Sequence, residues 1–227
     1  LGSRRARLRR LCTAFAVLYI SGPFIDSYDA AGHRIMIQSA QQYWPLPVGW
    51  DTPSFMGHMS GEAYPMFIHW LITGVSFLIG IGPAMKAVVA LSILALPSSI
   101  YWYLLKENRA RASYTTIITV GVLLLLPGHI GSNFLGLFTI GLIPSFVVMP
   151  LFFALLGCLR RIDEKRSYLV WAAILFPAIL WSHIVVAMAA GLYVVLTLLR
   201  SRSARTTKKL LLVLASGSIL GIPLFLA

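Results

Sequence analysis

The chain of 227 residues is 58% hydrophobic and only 11% charged, with a mean hydropathy of +0.82. A soluble domain carries about a quarter charged residues, so this chain has too little polar surface for a water-soluble fold, and we expect a membrane protein. The formal net charge of +12 does not indicate nucleic-acid binding, because no basic cluster carries the interleaved aromatic residues of a base-stacking platform.

Apolar runs recur along the chain, at 11–24, 67–85, 87–105, 114–127, 144–159, 168–199 and 210–227. A bilayer core about 30 Å thick requires roughly 20 apolar residues per helix. The runs are continuous and lack the alternation of barrel strands. We therefore predict an all-α fold, a polytopic transmembrane helix bundle of about seven or eight apolar segments, with 1–227 as a single transmembrane domain. Because the chain ends inside an apolar run, we expect the natural protein to continue beyond it.

Basic residues cluster in short segments beside the apolar runs. These segments are 1–10, 106–112, 160–166 and 200–209. Such segments mark the cytoplasmic side of a membrane protein. We therefore predict a multi-pass protein of the cell membrane, with a basic cytoplasmic N-terminus at 1–10 and the remaining helices over 66–227.

The number of crossings is left open by this pattern. Two basic segments on one side require an even number of crossings between them, whereas three apolar segments separate 1–10 from 106–112. Either 66–83 lies at the interface or re-enters, or the 106–112 segment faces outward despite its charge. His69 and Gly74 make 66–83 unusual as an ordinary span, which favours the first alternative. The run 168–199 allows two short spans, or one long helix and an insertion.

The segment 25–65 is the longest polar stretch and is predicted to be a partly helical first outer loop. It contains four of the seven acidic residues of the chain, Asp26, Asp29, Asp51 and Glu62, together with His33, His58 and one cation, Arg34. This concentration places most of the available acid–base chemistry in one loop. Charge asymmetry across the membrane would explain acidic residues there equally well.

Asp29 and His33 are four residues apart, so a helix after Pro23 would place both on one face. A carboxylate and an imidazole in this arrangement can share a proton, and one carboxylate can act as a general base. Asp26 lies one turn earlier and extends the same face. Carboxylates also suit Mg²⁺ or Mn²⁺, and we leave open whether a divalent cation binds.

His183 lies deep in an apolar stretch, WAAILFPAILWSHIVVAMAAGLYVV at 171–195. An ionisable residue at membrane depth usually faces the bundle interior or a cavity. Two interpretations of His183 stand: a hydrogen-bonded structural residue, or part of the lining of a lipid-phosphate cavity. His69 is a candidate for the cavity mouth.

The order of these features resembles the GT-C fold glycosyltransferases. The resemblance rests on a basic N-terminus, one helix and an acidic loop with the segments DAAGH at 29–33, YWPLPVGWDTPSFMGH at 43–58 and EAYPMFIHW at 62–70. The later segments FTIGLIPSFVVMPLFFALLGCLRR at 138–161 and ILWSHIVVAMAAGLY at 179–193 are similar to a bacterial and archaeal branch, the pyruvoyl-tetrahydropterin-synthase-related membrane proteins.

The resemblance implies an inverting transferase that moves a sugar from a polyprenyl-phosphate donor to an acceptor at the outer membrane face. It implies Asp29 as the base, with Asp26 or Asp51 as an orienting or metal-binding partner, and Arg34 as the cation for the phosphate, ahead of Lys86. Membrane lipid and the lipid-linked sugar would be its partners. We carry His58, Glu62 and His183 as further substrate-binding candidates.

Two other functions are compatible with this sequence. A non-catalytic membrane subunit of a larger complex would keep the helices without the chemistry. A transporter would use the many spans and His183, but the chain shows no internal repeat of the kind that marks many transporters.

Overall fold

The structure is a computed structural model that describes residues 2–22, 28–45, 49–51, 58–60, 67–106, 108–125 and 143–226. Within these residues the chain is helical apart from one short hairpin. The helices are α1 (Gly2–Ser21), α2 (Tyr28–Tyr43), α3 (Phe67–Ile79), α4 (Ile81–Leu104), α5 (Arg109–Leu125), α6 (Ile143–Arg160), α7 (Arg166–Leu180), α8 (Ile184–Arg200) and α9 (Ala204–Leu226). The strands β1 (Gly49–Asp51) and β2 (His58–Ser60) pair antiparallel.

The helices confirm the all-α prediction and the partly helical loop, since α2 occupies its first half. The run 168–199 divides into α7 and α8 around Trp181–His183. Helix α1 begins at Gly2, so it contains the basic segment 1–10 from its second residue as well as most of the apolar run 11–24. Only Gly80 separates α3 from α4; its φ of 83° is a conformation that glycine adopts without strain. Pro83 lies in the first turn of α4, where its missing N–H would have no helical partner anyway.

Helix α6 lies at the centre of the bundle and takes part in two hydrophobic cores. Its first turns, with Phe146 fully buried, join a core formed with α1 to α5. Its later turns, with Leu155 fully buried, join a core formed with α7, α8 and α9. The most extensive helix contact is between α4 and α6.

One end of the bundle carries the basic segments, and we call it the basic end. Here α4 and α6 end together, because Lys106 Nζ donates to the Arg160 carbonyl at 2.6 Å and pairs with Glu164 at 3.1 Å. Helix α9 begins at the same end, where Lys209 Nζ lies 2.8 Å from Asp163 Oδ1. The segments around 106, 160–166 and 209 therefore meet at one end of the bundle.

Helix α1 runs antiparallel to α4. Leu8 and Arg9 near its start lie beside Tyr101 near the end of α4. At the other end, Lys86 Nζ donates to the Ile20 carbonyl at 3.0 Å and to the Gly22 carbonyl. These bonds satisfy carbonyl groups that a helix C-terminus leaves without intrahelical donors. The N-terminal basic residues therefore lie towards the basic end.

Helix α3 does not run to the basic end. Its first residue, Phe67, donates its N–H to the Trp181 carbonyl at 2.8 Å, and Trp181 lies at the turn between α7 and α8, opposite the basic end. Its last residue, Ile79, immediately precedes Gly80 and the start of α4. The chain therefore passes between the two ends twice from 2 to 106, in α1 and α4. Helix α3 is therefore not one of the helices that connect the two ends of the bundle.

The outer surface of the bundle is apolar. Leu78 is 85% exposed, Leu199 76% and Met188 69%, and similar side chains occur on other helices. Exposed large apolar side chains, where they form contiguous patches, mark a protein or membrane interaction site. Within the described residues, α4 and α6 are long and apolar enough to cross a membrane, and α3, α7 and α8 are shorter apolar helices.

Candidate functional site

Two histidines form a buried hydrogen bond between α2 and α3. His33 Nδ1 lies 2.8 Å from His69 Nε2, and the two rings are tilted by 43° with centroids 4.9 Å apart. His33 is 5% exposed and His69 1%. A buried polar pair of this kind is retained only when its members bond to each other or to nearby groups.

An N···N hydrogen bond couples the protonation of the two rings. One nitrogen donates and the other accepts, so the pair is either neutral or carries one positive charge. If the bonding proton lies on His33 Nδ1 and both rings are neutral, His33 Nε2 is an acceptor and His69 Nδ1 carries a proton. Reversing the bond exchanges these roles. The arrangement can therefore pass a proton from one ring to the other.

A series of hydrogen bonds also connects α2 to α3 on the C-terminal side of the two histidines. Gln41 Nε2 donates to Ser76 Oγ at 2.8 Å, and Ser76 Oγ donates to the Thr73 carbonyl at 2.7 Å. Thr73 Oγ1 in turn donates to the His69 carbonyl at 2.8 Å. The Gln41–Ser76 bond joins α2 to α3, and the two bonds within α3 connect it to the His69 backbone.

Aromatic packing completes the contact between these helices. The ring centroids of Trp44, just after α2, and Trp70 in α3 are 4.7 Å apart. The Nε1 of Trp70 donates a hydrogen bond to the Pro45 carbonyl at 2.9 Å. Trp44 also covers Gly74, where an added Cβ would lie 2.9 Å from Trp44 Cη2. His69 and Gly74, the two residues that made 66–83 unusual as a span, thus both serve the docking of α2.

His183 bonds to α6. Its Nε2 lies 2.7 Å from Ser145 Oγ in the first turn of that helix. The other ring nitrogen, Nδ1, is buried and has no hydrogen-bond partner in the described parts of the chain. Ser182, beside it in sequence, bonds instead to the Ala178 carbonyl. The partner of His183 is therefore a residue 38 positions away in sequence.

The two histidine sites lie at the same end of the bundle. The Phe67–Trp181 hydrogen bond of 2.8 Å joins the start of α3, two residues before His69, to the turn two residues before His183. We call the end that carries His33, His69 and His183 the histidine end. Within the described residues no group of three or more histidine, cysteine or acidic side chains is arranged to hold a metal ion.

The other predicted site residues lie in α2, in the β1–β2 hairpin or outside the described residues. Asp29 lies in α2, one turn before His33, which confirms that both belong to one helix. Arg34 is exposed on the same helix. Asp51 and His58 are directly opposite in the β1–β2 hairpin. Asp26 and Glu62 lie outside the described residues.

Sequence reasoning did not identify the hydrogen-bond partners of His69 and His183. His69 had a signal, because a histidine inside an apolar run is costly and calls for a partner, but nothing in the sequence identified His33 as that partner. Ser145 carried no signal, since hydroxyl residues are common in membrane helices. Lys86, the second candidate for a phosphate cation, instead binds the end of α1.

Comparison with protein-family models, curated proteins and solved structures gives no match for this chain. The candidate site therefore rests on the residues and their geometry.

Proposed function

We propose that this chain is a multi-pass membrane glycosyltransferase of GT-C-like organisation. It would transfer a sugar from a polyprenyl-phosphate donor to an acceptor at the histidine end of the bundle. The observation that carries the proposal is Asp29 one helical turn before His33 in α2, with His33 bonded to His69 at 2.8 Å. The resemblance of 29–70 to the first outer loop of GT-C enzymes supplies the reaction.

The distribution of charge supports the orientation. The contacts of Lys106, Arg160 and Lys209 gather basic segments at one end, and basic segments normally stay in the cytoplasm. The histidine end would then face outward. Seven helices that run between the two ends (α1 and α4 to α9) would cross the bilayer, and α2, α3 and the hairpin would form the outer cap.

The polar side chains inside the bundle fit a lipid environment. Ser92, Thr116 and Thr197 each donate to the backbone carbonyl four residues earlier, at 2.9, 2.7 and 2.7 Å. A hydroxyl that bonds within its own helix needs no water. The apolar outer surface of these helices then contacts lipid.

In the proposed reaction, the Asp29 carboxylate accepts the proton of an acceptor hydroxyl as its oxygen attacks the anomeric carbon of the sugar. The bond from that carbon to the lipid phosphate breaks on the opposite side, and the configuration inverts. Asp26 and His33 orient the base. Arg34 and His183 bind the leaving phosphate, and Asp51, His58 and Glu62 line the sugar site.

The test is sugar transfer by the purified chain in nanodiscs. A panel of polyprenyl-phosphate hexoses and pentoses serves as donor, with Mg²⁺ or Mn²⁺ added or chelated to measure cation dependence. Asp29→Asn should lower the rate by at least about 100-fold, the usual contribution of a general base, while Asp163→Asn at the basic end keeps the wild-type rate.

Wild-type activity in a folded Asp29→Asn variant would refute the base assignment. Absence of transfer with every donor, together with stoichiometric co-purification of another membrane protein, would instead support a non-catalytic subunit.

A further inference from the structure

A cleft of about 270 Å³ opens between α1, α4 and α5 in the half of the bundle that carries the basic end. Its polar lining comes from all three helices: Arg9, Ser98, Tyr101, Ser113 and Thr116. The cleft is far larger than the roughly 30 Å³ that one water occupies. It approaches the volume of pockets that hold small ligands.

The cleft carries positive charge and no acidic lining within the described residues. Arg9 lines it directly, and Arg109 lies one turn before Ser113 on α5. Both arginines are exposed. A basic pocket between membrane helices on the cytoplasmic side is suited to an anionic lipid head group.

The hydroxyl groups of α5 indicate which kind of head group the cleft can bind. Ser113 Oγ donates to the Arg109 carbonyl at 2.9 Å, and Thr116 Oγ1 donates to the Ala112 carbonyl at 2.7 Å. Because their protons are used within the helix, the two oxygens can take part in further hydrogen bonds only as acceptors. A matching head group therefore joins an anionic phosphate to a group that donates hydrogen bonds.

Apolar side chains continue from the cleft towards the middle of the helices. Leu94, one turn from Ser98 on α4, is 42% exposed, and Leu11, one turn from Leu8 on α1, is 41% exposed. They provide a surface for acyl chains directly beyond the polar lining. A soluble phosphate compound would leave this surface uncovered.

We propose that the α1–α4–α5 cleft binds a phospholipid with a glycerol-type anionic head group. Arg9 contacts the phosphate, Thr116 and Ser113 accept hydrogen bonds from the head-group hydroxyls, and the acyl chains lie along Leu94 and Leu11. The proposal requires that the bundle lies in a membrane, but it does not depend on sugar transfer. The cleft lies away from the histidine end and is separate from the proposed active site.

The experiment is native mass spectrometry of the whole chain released from detergent micelles, titrated with phosphatidylglycerol, phosphatidic acid or phosphatidylcholine. Phosphatidylglycerol should bind with the highest affinity. Arg9→Gln should weaken that binding about fivefold, the effect of one basic residue near a lipid phosphate. Arg10→Gln, which removes the same charge from the neighbouring position outside the cleft lining, should leave it within about twofold.

A second variant tests the hydroxyl contact. Thr116→Val removes the acceptor at nearly constant volume, and should weaken phosphatidylglycerol about fivefold, the value of one hydrogen bond, while phosphatidic acid, which lacks the glycerol hydroxyls, binds as before. Equal binding of phosphatidylglycerol and phosphatidylcholine, or equal losses in Arg9→Gln and Arg10→Gln, would overturn the proposal. So would equally tight binding of free glycerol phosphate, which would indicate a soluble ligand.

Discussion

His33 and His69 are 36 residues apart in sequence, yet the Nδ1 of the first lies 2.8 Å from the Nε2 of the second. This bond joins the polar loop to the apolar segment that follows it. The bond explains why each of these two segments carries a buried histidine, and it connects α2 to α3.

The histidine pair should show strong coupling in a double-mutant cycle. His33→Phe or His69→Phe alone leaves the other ring buried without its partner, which costs about 1–3 kcal/mol. The double variant should be more stable than the sum of the two losses predicts, because two phenyl rings need no hydrogen bond. Thermal unfolding in nanodiscs measures this, and strictly additive losses would contradict a direct bond.

Lys86 should hold the end of α1 against α4. Lys86→Met removes the bonds to the Ile20 and Gly22 carbonyls, so we expect an unfolding free energy lower by about 1–3 kcal/mol. Cys12 on α1 is 1% exposed, and its labelling by a maleimide should become faster when α1 loosens. Mass spectrometry of the labelled peptide reports this, and Lys165→Met, at an exposed lysine, is the control. Unchanged labelling in Lys86→Met would argue against the capping role.

Asp163 should make stability depend on pH at the basic end. Its hydrogen bonds from Lys209 Nζ and Thr206 Oγ1 lower the pKa of its carboxyl from the ordinary 3.8. A lowered folded-state pKa stabilises the fold above the unfolded value and is lost as the pH falls through the folded value. Asp163→Asn should therefore unfold at a lower temperature than wild type above about pH 5, and the difference should disappear below the lowered pKa.

The effect of Asp163→Asn should be small, at most about 1 kcal/mol, because the carboxylate side chain is 49% exposed and water screens the pair. Thermal melts from pH 2 to pH 7 test the direction. A difference between the two proteins that grows as the pH falls would show that the pKa is raised instead.

Two glycines in helices should respond oppositely to alanine. At Gly157 in α6, an added Cβ would lie 2.4 Å from ring atoms of Trp102 in α4, whereas at Gly121 in α5 no atom of the described residues lies within 4 Å. Gly157→Ala overpacks the central helix contact and should destabilise by about 1–3 kcal/mol. Gly121→Ala should stabilise by about 0.5–1 kcal/mol, since alanine is the better helix former. Thermal unfolding of the two variants compares them, and equal behaviour would show that α4 and α6 are not in close contact at Gly157.

The helices were predictable because hydrophobicity and helix length are local properties. The run 144–159 matched α6 to within one residue at each end, whereas α4 begins six residues before the run 87–105. The polar loop contained the expected helix, with Asp29 and His33 one turn apart. Composition allowed either two short segments or one long helix with an insertion in 168–199. The structure shows two helices that meet at Trp181–His183. The hairpin that sets Asp51 opposite His58 was not foreseen, since strands of three residues carry almost no sequence pattern.

By itself, the sequence determined that this is an apolar helical chain with basic segments apart from an acidic loop. Composition and spacing suffice for that, because the cost of placing charge in an apolar environment applies residue by residue. Only the tertiary structure decided that α3 stays at the histidine end, that His69 binds His33, and that His183 binds Ser145. The two histidine contacts join residues 36 and 38 positions apart, and the Phe67–Trp181 bond joins residues still farther apart. Such partners are selected by the packing of whole helices rather than by any local pattern.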